Sequence, residues 1–231
     1  VITALVLAGV GLAVLACVAY VAVTWSRFGR ARPSRTDEER DALLDTFMPA
    51  YEIVERHHIR VEAPAEITFE TASEMDLERG AIVRTIFRAR EWIMGSRPGR
   101  EELPRQFLAQ MRAIGWGVLA EIPGREVVMG AATQPWLADV VFRPLPPGEF
   151  AAFREPGYVK IVWTMRADPI DAAKSVFRTE TRAVATDAAA RARFRLYWSL
   201  ASPGIILIRW LLLGPVKADA ERRTRDARRP S

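Results

Sequence analysis

The chain has 231 residues, of which 26% are charged and 50% hydrophobic, with a net charge of +5. With an apolar N-terminal segment set aside, that length suits one domain with a real core, and the mixed composition excludes a disordered or fibrous chain. Arg and Asp/Glu are interleaved without a basic stripe carrying aromatics, so no nucleic-acid partner is expected, and the single cysteine, Cys17, excludes an intramolecular disulfide and a cysteine-based zinc site.

Residues 1–25 carry no charge, and a spanning helix needs ~20 apolar residues. Tyr20 and Trp25 lie toward the end of this run, and Arg27, Arg30, Arg32 and Arg35 follow. The segment reads as one transmembrane helix in the cell membrane, with the Arg-rich flank and the domain after it on the cytoplasmic side. A cleaved signal peptide would have a shorter apolar core, and a lipidated Cys17 would open a polar stretch, whereas residues 18–23 stay apolar.

Residues 26–40 read as a polar linker. In residues 40–48, Leu43, Leu44, Phe47 and Met48 recur at helical spacing, and Pro49 ends that helix. A half-buried strand is expected over 57–63, where Ile59, Val61 and Ala63 alternate with His58, Arg60 and Glu62. Helices are expected over 65–73, 77–94 and 101–114. The period then changes to two: residues 116–122 and 126–130 flank Pro123-Gly124-Arg125 and read as a hairpin. A short strand is expected at 140–143. In residues 158–166, Val159, Ile161, Trp163 and Met165 share one face, and residues 176–185 should pair with that strand.

Asp187 is an expected N-cap for a final helix carrying Phe194, Tyr197, Trp198 and Ala201. Pro203-Gly204 should break it. Residues 205–213 would then be a separate amphipathic piece, with Ile205, Ile208 and Leu212 inward and Arg209 snorkelling to solvent. Trp210, Leu211 and Leu213, followed by the basic tail, would rest on an anionic leaflet. A second span is disfavoured because Arg209 would sit near its middle. The expected organisation is a transmembrane helix (1–25), a linker (26–40), a ligand-binding domain (41–216) and a basic tail (217–231).

Neighbouring strand residues point to opposite faces, so His57 and His58 cannot chelate one metal together. No Ser/His/Asp or Cys/His set suggests itself, and Gly115-Trp116-Gly117 lacks the context of a phosphate loop. No catalytic residue, metal or cofactor is expected. Arg178, Glu180 and Arg182 share one strand face, set opposite Thr164, Val162 and Lys160. With Trp163 and Met165 inward, Phe177, Thr179 and Thr181 are inside and the charged row outside, as a surface ladder. The alternative is an Arg–Glu pair lining the pocket.

The strand and helix order, with the segments HHIRVEAPAEITFETA, GWGVLAEIPGREVVMG, KIVWTMRADP, FRTETRAVATD and ARARFRLYW, resembles the START-like (SRPBCC) superfamily, and within it a membrane-anchored bacterial branch. The resemblance implies an α+β helix-grip fold: an antiparallel sheet curved around a long C-terminal helix, with a hydrophobic cavity between them. Members bind lipids, sterols, polyketides or other apolar ligands, and some are cyclases or aromatases. They share no catalytic motif. The residues expected to line such a pocket are Trp116, Met129, Gln134, Trp136, Ile161, Trp163, Met165, Thr179, Thr181, Phe194, Tyr197 and Trp198, although each is equally suited to a plain core. The leading expectation is a membrane-anchored binder of an apolar small molecule or lipid. The alternatives are a cyclase-like or dehydrase-like enzyme using the same cavity, and a structural or partner-binding membrane protein with no ligand.

Overall fold

The N-terminal apolar run forms a single helix, α1 (Ile2–Arg27), of 26 residues. At 1.5 Å per residue it is about 39 Å long, against a hydrocarbon core of ~30 Å. By length and composition it is able to cross a membrane. The structure is a computed structural model that describes residues 2–31, 36, 39–76, 85, 95 and 103–228; the helix expected over 77–94 lies outside the described residues.

The last two turns of α1, from Tyr20 onward, meet the C-terminal helix and the domain. Phe28 is buried edge-on against Phe194, with ring centroids 5.7 Å apart, so the expected linker contributes a core side chain. Asp41 then caps helix α2 (Ala42–Phe47): its carboxylate accepts from the Leu44 amide at 2.7 Å, satisfying a donor that the first turn leaves free.

Strand β1 (Ile53–Val61) starts four residues earlier than expected. Its opening residues look too charged for a strand, but they pair along β6 from Ile53↔Ala183 to Val61↔Ser175, and tertiary pairing overrides local propensity. Helix α3 (Ala65–Glu74) follows directly after Pro64. Helix α4 (Phe107–Ala113) is shorter than the expected 101–114. The hairpin forms as β2 (Gly117–Ile122) and β3 (Glu126–Thr133), with Gly124 taking the positive φ of its turn. Next come the short β4 (Phe142–Arg143) and the one-turn α5 (Pro147–Phe150). The two long strands are β5 (Val159–Asp171) and β6 (Lys174–Ala185). The antiparallel sheet runs β1-β6-β5-β3-β2, and β4 pairs with β3.

Asp187 caps the last helix, α6 (Ala188–Ala227), by accepting from the Ala190 amide at 2.8 Å. This helix is 40 residues long and passes through Pro203 and Pro215 without a break. An interior proline costs roughly 3 kcal/mol. Buried turns on both sides, Trp198, Ser199 and Ser202 before the midpoint and Leu213 and Val216 after it, hold the helix through both prolines. Residues 217–227 continue it and are not a free tail: Ala220 and Thr224 are buried, and Arg223 pairs with Glu74 at 2.9 Å.

Both faces of the sheet are covered. Val61, Phe69, Met129, Trp163, Met165 and Leu213 pack on the inner face, and Leu44, Met48, Val128, Phe150 and Val162 on the outer face. The 8 residues of β3 are consequently all buried. The result is an α+β helix-grip architecture in which α6 lies along β1 and β6.

Candidate functional site: the polar middle of the grip

The inward stripe of α6 is Phe194, Trp198, Ser202, Ile205, Arg209, Leu213, Val216 and Ala220, a run of three- and four-residue steps that keeps one side chain per turn on the same face. All are buried except Ile205 and Arg209 in the middle. The strands under them show the same interruption. On β1, Ile53 and Val61 are buried while Glu55, His57 and Ile59 between them are not. On β5, Val159 and Trp163 are buried but Ile161 is half-buried, and on β6 Thr179 is half-buried. The helix closes on the sheet at its two ends, and the middle between them is half-buried.

That middle is polar. The register sets Glu55 beside Thr181 and His57 beside Thr179, with Trp163 and Met165 on their far side. Burial raises the Glu55 carboxyl above its ordinary range, with Arg209 partly opposing the rise. Burial lowers His57, and the positive charges of Arg209 and His58 lower it further, so its imidazole is neutral near pH 7. Desolvation pulls the Arg209 guanidinium down to about 10, and Glu55 opposes that shift. His57 Nε2 lies 3.9 Å from a Glu55 oxygen, beyond a hydrogen bond. Among the described residues, the buried atoms His57 Nε2 and Thr181 Oγ1 have no hydrogen-bond partner, a condition that buried polar groups seldom tolerate. Arg209 therefore faces the grip and does not snorkel outward. Leu213, expected on a leaflet, is buried.

Nine of the twelve expected pocket residues fall into two apolar clusters either side of this middle. At one end Met129, Trp163 and Met165 are buried, with Trp116 packed against them. Trp163 meets Trp116 at 6.0 Å and Phe107 at 5.5 Å. Trp116 stacks on Phe142 at 4.7 Å. Gly115 makes that placement possible: its φ is 103°, and a Cβ there would fall 2.2 Å from the Phe142 carbonyl oxygen. At the other end Phe194 and Trp198 are buried, with Trp136, Ile161 and Tyr197 beside them. Thr179 and Thr181 lie in the polar middle. Gln134 ties a loop: its Nε2 donates to the Gly157 carbonyl at 2.9 Å.

Arg178, Glu180 and Arg182 lie outside the grip, as expected of their face, but they are not a solvated ladder. The actual register sets Arg178 opposite Arg166, Glu180 opposite Thr164 and Arg182 opposite Val162, two residues from the expected pairing. The row is roofed by α2. Arg182, only 1% exposed, donates to Glu180 at 2.7 Å, Asp45 at 2.6 Å and the Met48 carbonyl at 2.8 Å. Arg56 adds two bonds to Glu180 and one to the Tyr51 hydroxyl, all at 3.0 Å. The cleft beside this network has about 30 Å³ of free volume, room for water and not for an apolar ligand.

Sequence reasoning missed Glu55, His57 and the inward course of Arg209. Their signal was present: β1 carries polar residues at two successive inward positions between Ile53 and Ile59, an interruption that a plain core strand does not need.

No protein-family profile matches the chain, and neither does any curated protein sequence. Solved structures of similar topology include a conserved protein from Geobacillus kaustophilus, at 10% identity over 76% of this chain and 97% of that one, with a TM-score of 0.33. An aromatase/cyclase, Zhui, from a Streptomyces species aligns at 14% identity over 76% and 98%, with a TM-score of 0.29. Norcoclaurine synthase from Thalictrum flavum, solved with dopamine and hydroxybenzaldehyde, aligns at 13% identity over 86% and 100%, with a TM-score of 0.31. Likenesses this distant transfer no activity, so the fold assignment rests on the chain's own topology: an antiparallel sheet with the C-terminal helix laid along its inner face, the helix-grip architecture.

Proposed function

We propose that this chain is a membrane-tethered helix-grip domain that holds an apolar small molecule or lipid between the sheet and α6, on the cytoplasmic side of the cell membrane. The observation that carries this reading is the half-buried, polar middle of the grip, between two aromatic clusters that close it at either end. A site of that composition, apolar walls with a few convergent polar groups, suits a small hydrophobic ligand.

Its position supports a source in the bilayer. Tyr20 Oη of α1 lies 3.0 Å from Ser202 Oγ at the middle of α6, and the Arg195 guanidinium stacks 4.2 Å from the Trp25 ring. The outward face of α6 carries Leu196, Leu200, Leu207 and Trp210, between 43% and 65% exposed, on the same helix that α1 touches. An apolar stripe continuous with the membrane helix faces lipid at lower cost than water. The test is native mass spectrometry of the intact chain extracted in mild detergent. The reading expects a copurified apolar molecule that Trp198→Ala or Ile161→Asp releases; a chain that is folded and empty after gentle extraction rejects it.

Glu55 and His57 support a second reading, a cyclase-like or dehydrase-like enzyme in the same space. A neutral imidazole beside a carboxyl of raised proton affinity is a pair suited to moving a proton. In that case the molecule retained by His57→Gln differs in mass from the one retained by the parent chain. Identical masses leave binding alone.

A further inference from the structure

The charge balance of the grip bears on what it holds. Arg209 is the single cation on the inward stripe of α6. Among the described residues no side chain hydrogen-bonds or ion-pairs with it, and its electrostatic partner, Glu55, stands off without contact. A guanidinium presents several N–H donors in one plane, and in a dehydrated site they need an anion or several acceptors. His57 does not supply one, since its face toward Glu55 is unbonded. Thr181 Oγ1, one strand away at the Glu55 register, is buried and also without a partner. Three groups able to donate hydrogen bonds, from α6, β1 and β6, thus lie together between the two hydrophobic clusters. Glu55 beside them, its proton affinity raised by burial, repels an anionic headgroup less than a permanently charged carboxylate would, and it accepts nothing from Arg209 directly.

We infer that the ligand is an anionic amphiphile, a molecule with one acidic headgroup held by Arg209, His57 and Thr181 and with hydrocarbon arms in the Trp163 and Trp198 clusters. This rests on the reading of the grip as a ligand site and adds the chemistry of its headgroup. A carboxylate or phosphate accepts two parallel N–H bonds from a guanidinium, a stronger and more directional contact than any neutral headgroup makes. On binding, the anion supplies the acceptors that Arg209 lacks in the chain itself. A free fatty acid and an acidic phospholipid share this chemistry.

The experiment is competitive native mass spectrometry of the full chain in dodecyl maltoside. Two pairs of probes differ only in the head: oleate against oleyl alcohol, and dioleoylphosphatidate against dioleoylglycerol. The acidic member of at least one pair should be retained about tenfold over its neutral partner, the value of one charge-assisted bond. Which pair shows it separates a free acid from a membrane lipid. Arg209→Gln should bring the ratio to about one while neutral probes still bind, and Arg209→Lys should keep part of it. If Arg209→Gln does not fold, Thr181→Val should lower the ratio in the same direction. Equal retention of acidic and neutral probes by the parent chain overturns the inference and leaves the apolar site standing, as does a ratio that survives loss of Arg209. Binding of none of the four probes rejects both.

Discussion

Arg182 and Glu180 stand two residues apart on the outer face of β6, and the Arg182 Nε reaches the Glu180 Oε1 at 2.7 Å with both side chains nearly inaccessible. Asp45 and the Met48 carbonyl of the α2 region complete the guanidinium's partners, and the ring of Tyr51 lies 4.6 Å from it. The pair fastens α2 over the sheet. Arg182→Ala takes a donor from three acceptors, Glu180, Asp45 and the Met48 carbonyl, and is expected to cost about 3–5 kcal/mol. Arg182→Met, which fills similar volume, leaves Glu180 bonded only to Arg56 and costs less. Urea denaturation of the two variants measures the order, and equal loss would mean that volume alone matters there.

Glu126 gives the outer face a pH dependence. It is 4% exposed, and burial and the neighbouring Asp41 raise its carboxyl to about 7, against the pull of Arg166 and Thr164. Its folded affinity for a proton exceeds the unfolded one. The associated stability is therefore present below the ordinary carboxylate value and is lost as pH rises toward and through 7. Glu126→Gln keeps the acceptor for Thr164 and should flatten that decline, making the variant more stable than the parent at pH 8 by roughly 1–3 kcal/mol. Thermal unfolding between pH 5 and pH 8 checks it; parallel curves for parent and variant would show that Glu126 is ionised throughout.

Trp163 joins the sheet to α4. It is 6% exposed and meets Phe107 and Trp116 edge-on or tilted. Trp163→Ala should cost about 3–5 kcal/mol, read by denaturant midpoint. A loss below about 1 kcal/mol would mean that the side chain borders ligand space and not packed core.

These expectations depend on features that were unevenly legible in the sequence. The alternation of Val159, Ile161, Trp163 and Met165 gave the inner face of β5 correctly, because a period of two leaves no choice once one face is apolar. The Asp187 cap and the Pro123-Gly124-Arg125 turn are local chemistry and appear where expected. The register of β6 is not local: it depends on a tight turn at Ala172–Ala173 and a shift between Pro169 and Asp171, so Arg178 faces Arg166 and not Thr164. The burial of the Arg182 network needed α2 to lie across the sheet, a long-range fact with no local trace. Pro203 misled in the opposite direction, since its local cost is overridden by the packed turns around it. Alternation starts the strand at His57 and leaves Glu55 before it, which hides the polar middle of the grip.

The outward stripe of α6 should bind membranes on its own, though weakly. A chain beginning at Phe28, which keeps the buried Phe28–Phe194 pair, should float with anionic vesicles at low salt and be released by high salt. Leu207→Glu combined with Trp210→Glu should abolish flotation and change stability by no more than about 0.5 kcal/mol, since both positions are exposed. Flotation that resists both salt and the double substitution would reveal a second anchor elsewhere.

The central claim, that the grip holds an apolar molecule, is tested most directly by photocrosslinking in the native membrane. A diazirine amino acid placed at Thr179, half-buried on the inner face, should give an adduct with an organic-soluble, non-protein molecule. The same probe at Thr164, 1% exposed on the outer face of the neighbouring strand, should not. Adducts at Thr179 formed only with the chain's own side chains would contradict the claim, because they would mean that α6 and the sheet fill the space themselves.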